Sequence, residues 1–149
     1  KVQTVTAILN KAMKSVHLHF PHLEVSLKVE PEAECVLADK DRMTQVFVNI
    51  LENAARCNDK EKPTCNVRSE KIDDSVVISF SDNGIGVSEK HLSKIFDSFY
   101  QVDMGSGRKV GGTGLGLSIC RGIMAAHGGK IWAEQNPKGG TVFKISLSL

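Results

Sequence analysis

Three stretches of this chain place apolar residues every three or four positions, and the remaining apolar segments are short and alternate with polar residues. Over residues 2–18, Val2, Val5, Ile8, Leu9, Ala12 and Val16 predict an amphipathic helix. Pro21 ends it, and Val25, Leu27 and Val29 then alternate with polar residues, as in a half-buried strand over 22–29. Cys35–Ala38 reads as a short strand. Asp39 or Asp41 can cap a helix over 40–57 whose apolar face is Met43, Val46, Phe47, Ile50, Leu51 and Ala54. Residues 65–70 and 75–80 read as paired strands joined through Asp73-Asp74, and residues 88–96 as a short helix. From Gln101 to Thr113 the chain is rich in Gly and Ser, carries Arg108 and Lys109, and reads as a loop. Leu115–His127 predicts a helix closed by Gly128-Gly129. Residues 130–134 and 141–147 form a last hairpin around Asn136-Pro137-Lys138-Gly139-Gly140. Strands gathered in pairs, without a regular strand–helix–strand alternation, predict an α+β sandwich with one sheet covered by helices.

Composition narrows this without changing it. A length of 149 residues suits one domain, 1–149, with one core. Hydrophobic residues at 41% and charged residues at 24% argue against disorder. A net charge of +2 is too small to point to a nucleic-acid or membrane surface. No apolar run approaches the roughly 20 residues of a membrane span, and the start lacks a signal-peptide core. The chain begins at Lys1 as an excised domain would. Cys35, Cys57, Cys65 and Cys120 are scattered and form no C-x-x-C pair, which fits a reducing cytoplasm better than a zinc site or disulfide framework. His17, His19 and His22 straddle Pro21 with no acidic or Cys partner close by, so they read as a helix end passing into a strand.

Three motifs carry chemistry. Asn49 and Asn53, four apart on the second helix, point the same way, and neutral amide oxygens suit Mg²⁺ bound alongside substrate phosphates. Arg56 lies on that face too, a permanent cation able to reach a phosphate. Asp82-Asn83-Gly84-Ile85-Gly86 follows an apolar strand. A carboxylate there can accept a hydrogen bond from an exocyclic amino group, selecting adenine over guanine, while Gly84 and Gly86 allow close backbone approach. Gly111-Gly112-Thr113-Gly114-Leu115-Gly116-Leu117 leads into a helix whose N-terminal amides suit an anion. Its spacing matches neither a Walker loop nor G-x-G-x-x-G. Each motif alone also reads as a polar helix face, an Asx turn or a glycine turn; their order and spacing argue for a nucleotide site.

These residues resemble the catalytic and ATP-binding domain of two-component sensor histidine kinases, in the GHKL superfamily with its Bergerat fold. Asp41-Arg42-x-x-Gln45-Val46-x-x-Asn49-x-x-Glu52-Asn53-Ala54 resembles the N box, Asp82–Gly86 the first glycine box, and Ile95-Phe96-Asp97-Ser98-Phe99-Tyr100 the F box. Gly112–Leu117 resembles the second glycine box, and Gly139-Gly140-Thr141 the glycine-threonine segment near the adenine. The resemblance implies a two-layer sandwich: a mixed five-stranded sheet covered by three helices, with ATP under a lid at about 101–113. It implies that Asn49 and Asn53 hold Mg²⁺, that Asp82 reads adenine, and that Arg56 meets the outer phosphates. Gly84, Ile85, Gly86, Phe99, Tyr100, Gly112, Thr113, Gly114, Leu115, Gly116, Leu117 and Thr141 would line the nucleotide. Phosphoryl transfer asks mainly for positioning and charge neutralisation, so none need be a covalent nucleophile.

Hydrolytic relatives carry a Glu four residues before the metal-binding Asn, to activate water. Here Asn49 stands there, a poor base, which favours a kinase with slow unassisted turnover over an ATPase switch. No histidine of the chain is followed by Asp or Glu, so the expected phosphoacceptor belongs to a separate dimerising helical domain, with a response regulator downstream and this chain monomeric in isolation. The expected setting is cytoplasmic, with the full-length protein either free or membrane-anchored. The chain departs from the family at Cys57, where Tyr or Phe is usual, and at Gln101, where Arg is frequent; Arg108 and Lys109 are the lid cations that could substitute. Those departures leave open a docking module that binds nucleotide without catalysis.

Overall fold

The computed structural model describes residues 1–98 and 116–148. In chain order the elements are β1 (Val2–Thr4), α1 (Val5–His19), β2 (Glu24–Val29), β3 (Cys35–Leu37), α2 (Lys40–Arg56), β4 (Thr64–Ile72), β5 (Ser75–Asp82), α3 (Gly116–Ala126), β6 (Lys130–Gln135) and β7 (Thr141–Ser148), with short 3₁₀ turns at Pro31–Ala33, Glu89–His91 and Lys94–Phe96. Five strands form one mixed sheet in the order β2-β4-β5-β7-β6. The β2–β4 pair is parallel and the other pairs are antiparallel. This is the α+β two-layer sandwich expected from the sequence.

Period-two patterning decides which face of the sheet is covered. Val76, Ile78 and Phe80 of β5 and Phe143, Ile145 and Leu147 of β7 are fully buried and join one core with Ile8, Val46, Phe47, Ile50 and Met124 of the helices. On β7 the intervening Val142, Lys144 and Ser146 stay half-buried on the other face. Phe47 meets Phe80 edge to face with centroids 5.1 Å apart, a contact worth about 1 kcal/mol beyond its burial. It presses α2 onto β5, so the polar stripe of α2 and the end of β5 share one side of the molecule.

Two departures have local causes. Residues 2–4 are not helical: the Thr4 hydroxyl accepts the Ala7 N–H at 3.2 Å and caps α1, which leaves β1 to pair antiparallel with β3 in a separate two-stranded ribbon. Val2 fits the helical period yet is largely exposed. Residues 88–96 make two 3₁₀ turns instead of one helix, because so short a segment recovers too few hydrogen bonds to nucleate an α-helix. Packing places them: Ile95 and Phe96 are buried, and Phe96 meets Phe143 edge to face at 6.2 Å.

Asp39, not Asp41, caps α2, accepting the Arg42 N–H at 3.0 Å; Asp41 pairs with Lys11 of α1 instead. His127 joins the two helix ends. Its Nε2 accepts the Asp39 N–H at 3.1 Å while Nδ1 donates to the Ile123 carbonyl at 2.9 Å, so each ring nitrogen serves one helix end. The His17–His22 trio does not converge: His17 Nε2 donates to the Leu23 carbonyl at 3.0 Å, and no group of three or more metal-binding side chains occurs among the described residues.

Candidate functional site

The site is built where β5 ends, and Asp82 is its buried end. The side chain is 6% exposed, and its Oδ1 accepts the backbone N–H groups of Gly84 at 3.0 Å and Thr141 at 3.1 Å. Burial pushes the carboxyl above its ordinary pKa, and the two N–H donors pull it partly back. Both amides fall on Oδ1, which among the described residues leaves Oδ2 as the oxygen able to meet a donor from outside. The Asp82 carbonyl accepts from Asn136 Nδ2 at 3.3 Å, so the β6–β7 turn grips the same residue a second time. Gly140 makes that grip possible. Its φ is +89°, and a Cβ there would stand 2.2 Å from the Asp82 carbonyl oxygen.

The second part of the site is the polar stripe of α2. Asn49 Nδ2 donates to the Gly116 carbonyl at 3.3 Å, across to the first turn of α3. That orients its Oδ1 away from the Gly116 carbonyl. Among the described residues, Asn53 Oδ1 receives the Cys57 thiol at 3.8 Å, a weak contact that a cation would displace readily. Arg56 sits on the expected stripe but leans toward the end of α1. Its guanidinium carbon lies 5.8 Å over the Phe20 ring and Nη2 lies 3.9 Å from Glu52 Oε1.

The two parts meet through Cys57, where α2 ends. Its carbonyl accepts the Ile85 N–H at 3.0 Å, and a Cβ on Gly84 would stand 2.5 Å from that carbonyl oxygen. The backbone of Cys57 therefore touches the loop that carries Asp82. Its thiol is pushed up to about 11 by burial and by the nearby Asp82 charge, and at neutral pH it is an uncharged, unreactive group. Beside Gly86 and Gly140 opens a cleft of about 680 Å³, walled also by Ile85, Val87, Asn136 and Pro137.

Asn49 is thus joined to Gly116, Asp82 to Gly84 and Thr141, Gly86 to Gly140, and Gly84 and Ile85 to the end of the helix that carries Asn53, while Leu117 packs partly buried against the core. Phe99, Tyr100, Arg108, Lys109, Gly112, Thr113, Gly114 and Leu115, together with Gln101 and the lid at 101–113, lie outside the described residues. Four contributors do not stand out in the sequence: Asn58, Asn83, Asn136 and the carbonyl of Cys57. The asparagines flank turns, where a side chain that bonds nearby backbone is common, but the bonds that tie them into the site reach residues far along the chain. Mg²⁺ fits this donor set better than a softer metal. The described residues offer no cluster of thiolates, imidazoles or carboxylates, only amide oxygens that need a ligand's own phosphates to complete a shell.

Comparison with known proteins shows the family and the fold. Residues 38–149 match the family described as histidine kinase-, DNA gyrase B- and HSP90-like ATPase. The chain is 44% identical over 110 residues to the sensor protein kinase WalK of Staphylococcus haemolyticus, an alignment covering 73% of this chain and 18% of that protein. It thus spans under a fifth of that relative's length. Among solved structures, the catalytic domain of histidine kinase ThkA superposes with a TM-score of 0.81 at 28% identity, over 99% of this chain and 94% of that one. The mycobacterial sensor histidine kinase MprB superposes with a TM-score of 0.86 at 23% identity, over 99% and 97%, a likeness of fold.

Proposed function

The chain belongs to the histidine kinase-, DNA gyrase B- and HSP90-like ATPase family, and from that premise we propose that it binds Mg·ATP and donates the γ-phosphoryl group to a histidine. The acceptor would sit on a separate helical dimerisation domain of a longer protein and pass its phosphoryl group to a response regulator. The single domain 1–149 would work in the cytoplasm, as a monomer when isolated.

Residue by residue, Asp82 accepts the 6-amino group of adenine through Oδ2, with Gly84, Ile85, Gly86 and Thr141 forming the floor around the base. Asn49 and Asn53 would hold Mg²⁺, which neutralises phosphate charge when bound. Arg56 turns from Phe20 to the outer phosphates. Its half-exposed pairing with Glu52 at 3.9 Å is worth less than about 1 kcal/mol, so the turn costs little. Phe99, Tyr100, Arg108, Lys109 and Gly112–Leu117 would complete the nucleotide wall and lid.

One observation carries the choice of kinase over hydrolase. Where a general base would stand, there is Asn49, an amide already spent on the Gly116 carbonyl at 3.3 Å. The nearest carboxylate on α2 is Glu52, which faces Arg56 and His19. The test is to mix the chain with γ-labelled ATP and the acceptor domain of its own longer protein. Acid-labile, base-stable phosphohistidine is the expected product. Brisk phosphate release by the chain alone, with no phosphohistidine, would establish an ATPase instead.

A further inference from the structure

We infer that Asn83 is a positioning residue that sets base specificity, by bolting the loop carrying Asp82 to the exit of α2. This rests on the reading of Asp82 as the group that meets adenine. The inference starts from a contrast among asparagines. Asn58 and Asn136 each accept a backbone N–H two residues on, from Lys60 at 2.8 Å and Lys138 at 3.1 Å, as turn asparagines ordinarily do. The Asn83 side chain makes no such local bond. Its Oδ1 accepts Asn58 Nδ2 at 2.7 Å and the Thr64 N–H at 2.9 Å, and its Nδ2 donates to the Lys62 carbonyl at 3.0 Å. All three partners are at least nineteen residues away in sequence. The Asn83 N–H adds a bond to the Thr64 carbonyl at 3.3 Å, and the Ile85 N–H reaches Cys57 at 3.0 Å.

The segment so gripped, residues 57–64, runs directly on from the helix that carries Asn49, Asn53 and Arg56. Asp82 and the α2 stripe are therefore held at a fixed separation by an amide that need not touch a ligand. A carboxylate recognises an exocyclic amine only within hydrogen-bond distance and angle. If the loop is released, the Gly84 N–H that helps orient the carboxylate shifts, and the carboxylate loses one of the two donors that aim it, while the stripe keeps its place. Loss of Asn83 should thus remove the part of the affinity that comes from the 6-amino group and leave the part that comes from phosphates.

The experiment is a competition titration of the whole chain with Mg·ATP and with inosine triphosphate, which lacks the 6-amino group. In Asn83→Ala, ATP affinity should fall about tenfold, the size of one lost charge-assisted hydrogen bond, with inosine triphosphate affinity held within about twofold. Asn58→Ala removes one of the two bonds to Oδ1 and should reproduce the same selective loss at about threefold; it decides alone if Asn83→Ala does not fold. Equal weakening of both nucleotides would reduce Asn83 to a general stabiliser and overturn the inference, as would an unchanged ATP preference. Asp82→Asn separates the two claims. If it too keeps the preference for ATP, the reading of Asp82 is what fails; if it alone loses that preference, only the role of Asn83 falls.

Discussion

The two ends of this site are built differently. At the end proposed to hold the base, the Asp82 carboxylate receives two backbone N–H groups at 3.0 and 3.1 Å and the Asp82 backbone carbonyl a third donor, all supplied by turns that are glycine-rich and tightly approached. At the end proposed to hold the phosphates, three side chains on α2 have contacts of 3.3, 3.8 and 3.9 Å, each weak and partly exposed. The base end is finished by the fold itself. The phosphate end keeps loosely held donors, which a highly charged ligand and its cation can reorganise at small cost.

The sharpest way to break the contrast is Gly140→Ala. The added methyl would lie 2.2 Å from the Asp82 carbonyl in a backbone with φ of +89°, so we expect a loss of several kcal/mol of stability and of measurable ATP binding. Thermal denaturation and nucleotide titration read this directly; near-normal values for both would mean that the turn is not as tightly held as its geometry implies.

Asp82→Asn comes next, with two opposite effects. ATP affinity should drop by about 10- to 100-fold as a charge-assisted hydrogen bond is lost. Stability at neutral pH should rise, because the folded pKa of Asp82 is raised by burial and the ionised group therefore opposes folding. The sign follows from linkage. Between the unfolded pKa and the higher folded one, the native state binds more protons, so this contribution falls as pH rises through that window and the penalty is complete above it. Melting curves of the two proteins should converge at pH below the ordinary aspartate range and separate above it. Over the same window wild-type ATP affinity should weaken on acidification, and that slope should vanish in Asp82→Asn.

At the looser end, effects should be smaller and selective. Asn49→Ala should remove about tenfold of ATP affinity in the presence of Mg²⁺ and little in chelator, measured as the ratio of the two dissociation constants. A loss independent of Mg²⁺ would tie Asn49 to α3 packing alone. Glu52→Gln should be the mildest change. Removing a carboxylate from beside Arg56 should raise ATP affinity about twofold, an effect that fades with added salt; weaker binding would show that Glu52 holds Arg56 in place for the nucleotide.

Much of this arrangement is legible in the order of residues along the chain. The periodicities of 40–57 and of the paired strands locate α2, β4, β5, β6 and β7 to within a few residues, because α2, β4, β5 and β7 each bury a face against the core and the turn at 136–140 bounds β6. Local competition blurs the pattern elsewhere. Thr4 is an apt N-cap inside an apolar period, and 88–96 is too short for periodicity to discriminate between a helix and turns. Asp39 and Asp41 are equivalent caps by residue type, and the choice between them depends on Lys11 of α1, thirty residues away from Asp41.

What the sequence determined by itself is the chemistry on offer: two amides and a cation on one helical stripe, a carboxylate at a strand end, glycines where backbones must touch. Those follow from residue type and from spacing within one element, which are local properties. The tertiary structure decided how these groups are aimed. It assigned both amides on Asp82 to Oδ1, spent the Asn49 Nδ2 on Gly116, turned Arg56 toward Phe20, and joined Asn83 to Asn58, Thr64 and Lys62. Such hydrogen bonds link segments far apart in the chain, and a buried polar group takes whichever partner the packing brings within reach.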